Sequence, residues 1–251
     1  MTAAALIAAL LAALFLLPRI GLAALVAAIV AAAAFEWARL CRLGGPAAWG
    51  YAGAMAFAFV VIYNTEPWQP VFVLASLFWI AAVPLWLWHG VASSSAQMLA
   101  VAGFLVLLPA ALAMVALRPP EVLLVLVLVW IADTAAYFVG HAWGRRKLAP
   151  AISPSKTWEG AAGGIGGALV YAIICGTLVE RLLWVPYLAA AALLAVLSIV
   201  GDLFESAVKR QAAVKDSGAL LPGHGGILDR IDSATSTLPL AAALAAWIIG
   251  Q

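Results

Sequence analysis

Long apolar stretches make up almost the whole chain, each about one bilayer in length and each ended by a short polar or Pro/Gly break. They run over 3–17, 20–40, 47–63, 70–88, 97–117, 121–140, 160–180, 184–205 and 234–250. A helix needs about 20 mainly apolar residues to cross the hydrocarbon core, so each stretch is predicted to be a transmembrane helix. The first is short enough to lie partly in the interface. The breaks fall at Pro18-Arg19, Gly44-Gly45-Pro46, Glu66-Pro67, Ser93–Ser95 and Pro119-Pro120, which are residues that end helices. Two connections are long, 141–159 and 206–233, and both follow an even-numbered stretch, so both emerge on one side. The expected fold is an all-α polytopic membrane protein of about nine transmembrane helices with two long cytoplasmic loops. Residues 1–120 form about five N-terminal spans, and residues 121–251 form a catalytic region that carries both loops.

Composition supports the membrane assignment. The chain is 67% hydrophobic and 10% charged, with a mean hydropathy of +1.10, whereas a soluble domain carries about 25% charged residues. A net charge of +2 gives no reason to expect a nucleic-acid partner. Ten of the 13 Lys and Arg lie on the side of the two long loops, which puts those loops in the cytoplasm and the C-terminus outside. The N-terminus is apolar from the start, without a basic leader or a cleavage site, and reads as a retained helix rather than a signal peptide. Cys41 and Cys175 stand far apart with no metal-ligand spacing and read as small hydrophobes.

Charge placed in the wrong solvent marks the candidate site. Asp133 stands in "LVLVWIADTAAYFVG", seven residues before Gly140, and an Asp deep in a membrane costs about 2.5–3.5 kcal/mol unless it faces an interior or a wet cavity. Asp202, Glu205, Ser206 and Lys209 follow at i, i+3, i+4 and i+7, so one helix face carries all four into the second long loop. Asp216, Asp229 and Asp232 come next, the last two sharing a face if the final helix starts early. Clustered carboxylates without Cys or paired His point to Mg²⁺ or a similar cation, with a second cation and the number of metals left open. Lys209, Arg210, Lys215 and Arg230, interleaved with these acids, suggest that phosphates complete the site. "LPGHGG" offers His224 and close backbone approach at Gly225 and Gly226. In the first loop, "SPSKTWEG" places Ser155 or Thr157 as a helix cap and Glu159 in the first turn. Lys156 there serves either phosphate binding or helix packing. "GAAGGIGGA" resembles a dinucleotide fingerprint only superficially, because no strand precedes it, and it predicts close helix packing in lipid. His89 and His141 read as structural.

The run Ser206-x-x-Lys209-Arg210, Lys215-Asp216, then Leu221-Pro222-Gly223-His224-Gly225-Gly226-Ile227-Leu228-Asp229-Arg230-Ile231-Asp232 resembles the signature of the phosphatidate cytidylyltransferases (CDP-diacylglycerol synthases). "ADTAAYFVG", "ISPSKTWEG" and "GDLFES" resemble that family's other blocks, in the same order. The first 120 residues are similar only in character. Two positions depart from the family's usual pattern: Ala135 stands where Gly is frequent, and Ser155 where Lys is frequent, which removes a cation beside Lys156. The resemblance implies transfer from CTP to phosphatidate, giving CDP-diacylglycerol and pyrophosphate, in a bacterial inner membrane. It also implies Asp202 and Asp229 as the leading Mg²⁺ ligands. Glu205 and Asp232 then support the metal, Lys209, Arg210, Lys215, His224 and Arg230 do the catalytic work, and Lys156, Ser206, Asp216, Gly225, Gly226 and Asp133 contact substrate. A kinase or cytidylyltransferase acting on another lipid, or a cation transporter, are the competing readings. The transporter lacks support, because no internal repeat is visible and the charges gather on one side. Oligomeric state is left open, a homodimer being one candidate.

Overall fold

Ala, Leu and Val run unbroken between helix-ending residues, and in the computed structural model, described over residues 2–90, 95–180, 182–218 and 225–248, they fold as helices. These are α1 (Thr2–Leu16), α2 (Arg19–Leu40), α3 (Gly45–Tyr63), α4 (Gln69–His89), α5 (Ala96–Ala116), α6 (Pro119–Trp143), α7 (Trp158–Gly176), α8 (Trp184–Gln211) and α9 (Leu228–Ile248). The predicted breaks act as caps. Gly44 precedes α3 with a proline in its first turn, Ser95 Oγ accepts from Met98 N at the start of α5, and Arg118 N donates to Glu121 Oε2 at 2.8 Å at the start of α6. α4 carries a π-helical turn over Phe78–Ala82, just before Pro84.

Among the described residues, α2 to α8 are the seven helices long and apolar enough to cross a membrane. Two of the nine predicted spans fall short of that measure: α1 has 15 residues, and α9 opens on Asp229, Arg230 and Asp232. The long connections are also shorter than expected. α6 runs on to Trp143 and α7 starts at Trp158, with an antiparallel hairpin between them. Its strands are β1 (Lys147–Ala149) and β2 (Ser153–Thr157), with Lys147 opposite Thr157. α8 continues to Gln211, so Ser206, Lys209 and Arg210 are helical, and α9 begins six residues before the predicted start at 234.

The last helix lies at the centre, packed on α8, α5, α4 and α6. Hydroxyls let α8 and α9 approach closely without orphaning polar groups. Ser236 Oγ donates to Leu197 O at 2.7 Å and Ser233 Oγ to Ser198 O at 3.3 Å. Gly201 completes this contact, since a Cβ there would lie 2.5 Å from Ser236 Oγ and 2.9 Å from Asp232 O. α6 and α7 use the predicted glycine stripe: a Cβ on Gly160 would sit 2.8 Å from Ala136 O, and one on Gly164 2.9 Å from Ala132 O. Gly164→Leu is therefore expected to cost about 2 kcal/mol or more, the cost of overpacking against rigid backbone. Gly166→Ala, which faces open space, should leave the melting temperature in detergent unchanged.

The ends of α2, α6 and α8 and the starts of α7 and α9 meet at one end of the bundle, where Arg42 ties α2 to α8 by donating to Gln211 O at 3.1 Å. At the other end, Arg19 pairs with Glu66 at 3.2 Å, and Arg118 with Glu121 at 2.6 Å.

Candidate active site

Where α6, α7, α8 and the hairpin converge, small residues leave a cleft of about 540 Å³. Asp133, Tyr137, Gly140 and His141 line it from one face of α6, and Gly144 from just past the end of that helix. Ser155, Lys156 and Thr157 enter from β2, Lys147 from β1, and Asp202 from α8. Thr157 caps α7, its Oγ1 accepting from Gly160 N at 3.1 Å, so the strand-to-helix turn is fixed beside the cleft. Glu159 holds the other flank by accepting the Arg145 and Arg146 amides at 3.1–3.3 Å. Lys156 pairs with Asp202, whose Oδ1 also accepts from Ser206 Oγ at 3.2 Å. Both partners stay open to the cleft, with side chains 24% and 33% exposed.

A second cluster lies behind this pair, where α8 meets α9. Lys209 Nζ bridges Asp229 Oδ1 at 2.7 Å and Glu205 Oε1 at 3.1 Å. The three side chains are only 14%, 10% and 6% exposed, so this ammonium is enclosed between two acids rather than offered to solvent. Asp229 is further held by Ser217 N at 3.0 Å and Gly226 N at 2.8 Å, both on Oδ2. Gly225 makes this wrap possible: its φ is 78°, and a Cβ would lie 2.7 Å from Asp229 Oδ2. Asp232 follows on the same face of α9, electrostatically close to Asp202 and Asp133. Five carboxylates thus stand against three ammonium groups, those of Lys147, Lys156 and Lys209, an excess of acid that suits a cation. No three His, Cys, Asp or Glu groups among the described residues form a ready-made metal site. Mg²⁺ does not require one, because substrate phosphates and water supply most of its ligands. The all-oxygen donor set fits such an ion.

The structure brings Asp133, Lys156, Asp202, Glu205, Ser206, Lys209, Asp229 and Asp232 together at one end of the bundle. Arg210, Lys215, Asp216 and Arg230 are exposed beside them and do not line the cleft. Arg210 reaches instead toward Ile152 O at the hairpin turn, at 3.5 Å. Gly225 and Gly226 turn their backbone toward Asp229 rather than toward an open ligand site. His224 lies outside the described residues. Cys41 and Cys175 are free.

A model of the cytidylyltransferase family matches residues 1–248. The chain belongs to that family. It is 41% identical to a phosphatidate cytidylyltransferase of Pseudomonas aeruginosa, over 94% of this chain and 91% of that protein. Proteins of the same name from Haemophilus influenzae and Bacillus subtilis are 49% and 52% identical over 47% and 45% of this chain, each match covering 42% of the relative.

Four residues at or beside the cleft go beyond the sequence expectations, and one of them, His141, corrects its reading as structural. Tyr137, His141 and Lys147 line the cleft, with His141 stacked on Tyr137 at 6.0 Å between ring centroids. Asp133, Tyr137, Gly140 and His141 repeat at helical spacing, the same signal that groups Asp202, Glu205, Ser206 and Lys209 on α8. The fourth is Glu36, a lone acid in the apolar run "AAAAFEWARL", which is 2% exposed and reaches the loop before α9.

Proposed function

We propose that this chain transfers the cytidylyl group of CTP to phosphatidate, giving CDP-diacylglycerol and pyrophosphate, and that it does so with Mg²⁺ at the cytoplasmic face of a bacterial inner membrane. The observation that carries this reading is the partly open Lys156–Asp202 pair in a polar cleft at one end of a membrane bundle, in a chain of this family. A phosphate oxygen of the lipid attacks the α-phosphorus of CTP. The bond from that phosphorus to the bridging oxygen breaks, and pyrophosphate leaves with the electron pair. No protein nucleophile is needed, so the residues have two tasks: bringing two polyanions together and steadying the charge on the leaving group. Lys156 is a cation that a phosphate in the cleft can meet, beside the N-terminus of α7, which itself favours anions. Asp202 and Asp229 are the leading oxygen donors for Mg²⁺, with Glu205, Asp232 and Asp133 around them. When bound, the ion neutralises phosphate charge as in other phosphoryl transfers. The ten-to-three distribution of Lys and Arg supports the cytoplasmic placement.

Labelled CTP tests the reaction. With phosphatidate in mixed micelles, α-labelled CTP should label the lipid and γ-labelled CTP should label only pyrophosphate. Lipid labelled from the γ position would mean a kinase and overturn the proposal. Lys156→Gln is expected to raise the KM for at least one phosphate-bearing substrate by about tenfold, with little change in melting temperature because the side chain is partly open. An unchanged KM for both substrates removes Lys156 from phosphate binding.

A further inference from the structure

Glu36 sits on α2, more than 180 residues away in sequence from the groups it touches, and none of the chemistry above uses it. Its Oε1 accepts from Ile227 N at 3.0 Å. Its Oε2 accepts from Leu228 N at 3.0 Å and Ser217 Oγ at 3.1 Å. Two further residues close over it. A Cβ on Gly226 would lie 2.5 Å from Oε2, and one on Gly218 would collide with Oε1 and lie 2.8 Å from Cδ. The carboxylate is therefore clasped from both sides of segment 219–224, by residues 217–218 before it and 226–228 after it.

The same few residues clasp Asp229. Ser217 gives its backbone N–H to Asp229 and its hydroxyl to Glu36. Gly226 gives its N–H to Asp229 and packs on Glu36. Ile227 and Leu228, which bond Glu36, lead directly into the turn that carries Asp229. Acceptors at α9's first amides also suit the positive end of that helix. We infer that Glu36 is a positioning residue: from the N-terminal half of the chain it fixes the two stems of the loop, and so fixes where Asp229 and its partner Lys209 stand for catalysis. The assignment rests on the proposed role of Asp229, while the loop contacts stand independently of it.

Replacement by Gln tests this with a change of one heavy atom, a carboxylate oxygen for an amide nitrogen. A glutamine has one acceptor oxygen and one donor nitrogen, so one of the three N–H and O–H groups that Glu36 accepts would face another donor. For Glu36→Gln purified in detergent, kcat for pyrophosphate release from CTP and phosphatidate should fall about tenfold or more, as expected when reacting groups shift by a fraction of an ångström. Hydrogen exchange should accelerate at the amides of Ser217 and Gly226 to Leu228, while amides in α5 and α6 keep their protection. Ser217→Ala removes one donor and keeps the carboxylate. It should lower kcat by a smaller factor, with the same local change in exchange, and it carries the test if Glu36→Gln fails to fold. A Ser217→Ala enzyme with parental kcat and exchange would overturn the inference, as would a Glu36→Gln enzyme with parental kcat or with exchange raised uniformly through the bundle. Should phosphatidate prove not to be the substrate, the local exchange result would still hold and kcat would be read on the true substrate, so the two failures are distinguishable.

Discussion

Replacing Asp229 by Asn is expected to abolish turnover, by roughly a thousandfold or more as when a preorganised charge in an active site is removed, while the protein stays inserted and folded. Both Asp229 oxygens are in use. Oδ1 meets Lys209, and Oδ2 takes the Ser217 and Gly226 amides. An Asn keeps the shape and one acceptor, so the loop retains part of its anchor. It loses the negative charge that balances Lys209 and that serves as a metal donor in the proposed reaction. The measurement is CDP-diacylglycerol formation alongside size-exclusion and thermal unfolding profiles. A fully active Asp229→Asn enzyme would remove this carboxylate from the chemistry.

Lys209→Met should be nearly as damaging, but for a different reason. A free phosphate clamp would, when lost, only weaken substrate affinity, which is what the sequence suggests for Lys209. The structure instead encloses its ammonium between Glu205 and Asp229. Removing it leaves two buried carboxylates facing each other without a counter-charge, and breaking a buried pair in this way costs about 3–5 kcal/mol. The expected result is a large fall in melting temperature together with loss of turnover. Adding Glu205→Gln should recover part of the stability, since one orphaned charge is then neutral, without restoring activity. A Lys209→Met protein of parental stability with only a raised KM would return Lys209 to the role of a substrate clamp.

Much of the fold was legible because lipid imposes a simple code. Apolar runs of span length between Pro, Gly and Ser breaks correspond to all nine helices among the described residues. The ends were harder to place. α8 and α9 carry their polar residues into the helix itself, so Arg210 and Asp229 fall inside the predicted 206–233 connection although both are helical. Acidic residues with i, i+3 spacing, such as Asp202 with Glu205 and Asp229 with Asp232, were readable because helical period alone puts them on one face. The pairing of Lys156 with Asp202 was not readable, because it depends on how the hairpin folds back over α8. Nor was the burial of Lys209 or the role of Glu36, since both follow from contacts between distant parts of the chain. The two glycines Gly225 and Gly226 look in sequence like a ligand cradle. In the structure they wrap carboxylates of the protein itself, a distinction that only the surrounding side chains decide.

The central claim is that an excess of acidic groups over ammonium groups at one end of the bundle recruits a divalent cation, which lets two phosphate-bearing substrates meet. The most direct test is to strip the detergent-purified protein of metal with a chelator and follow CDP-diacylglycerol formation as Mg²⁺ is added back. The account predicts no product without a divalent ion and recovery on addition. Undiminished synthesis in the fully chelated enzyme would contradict it.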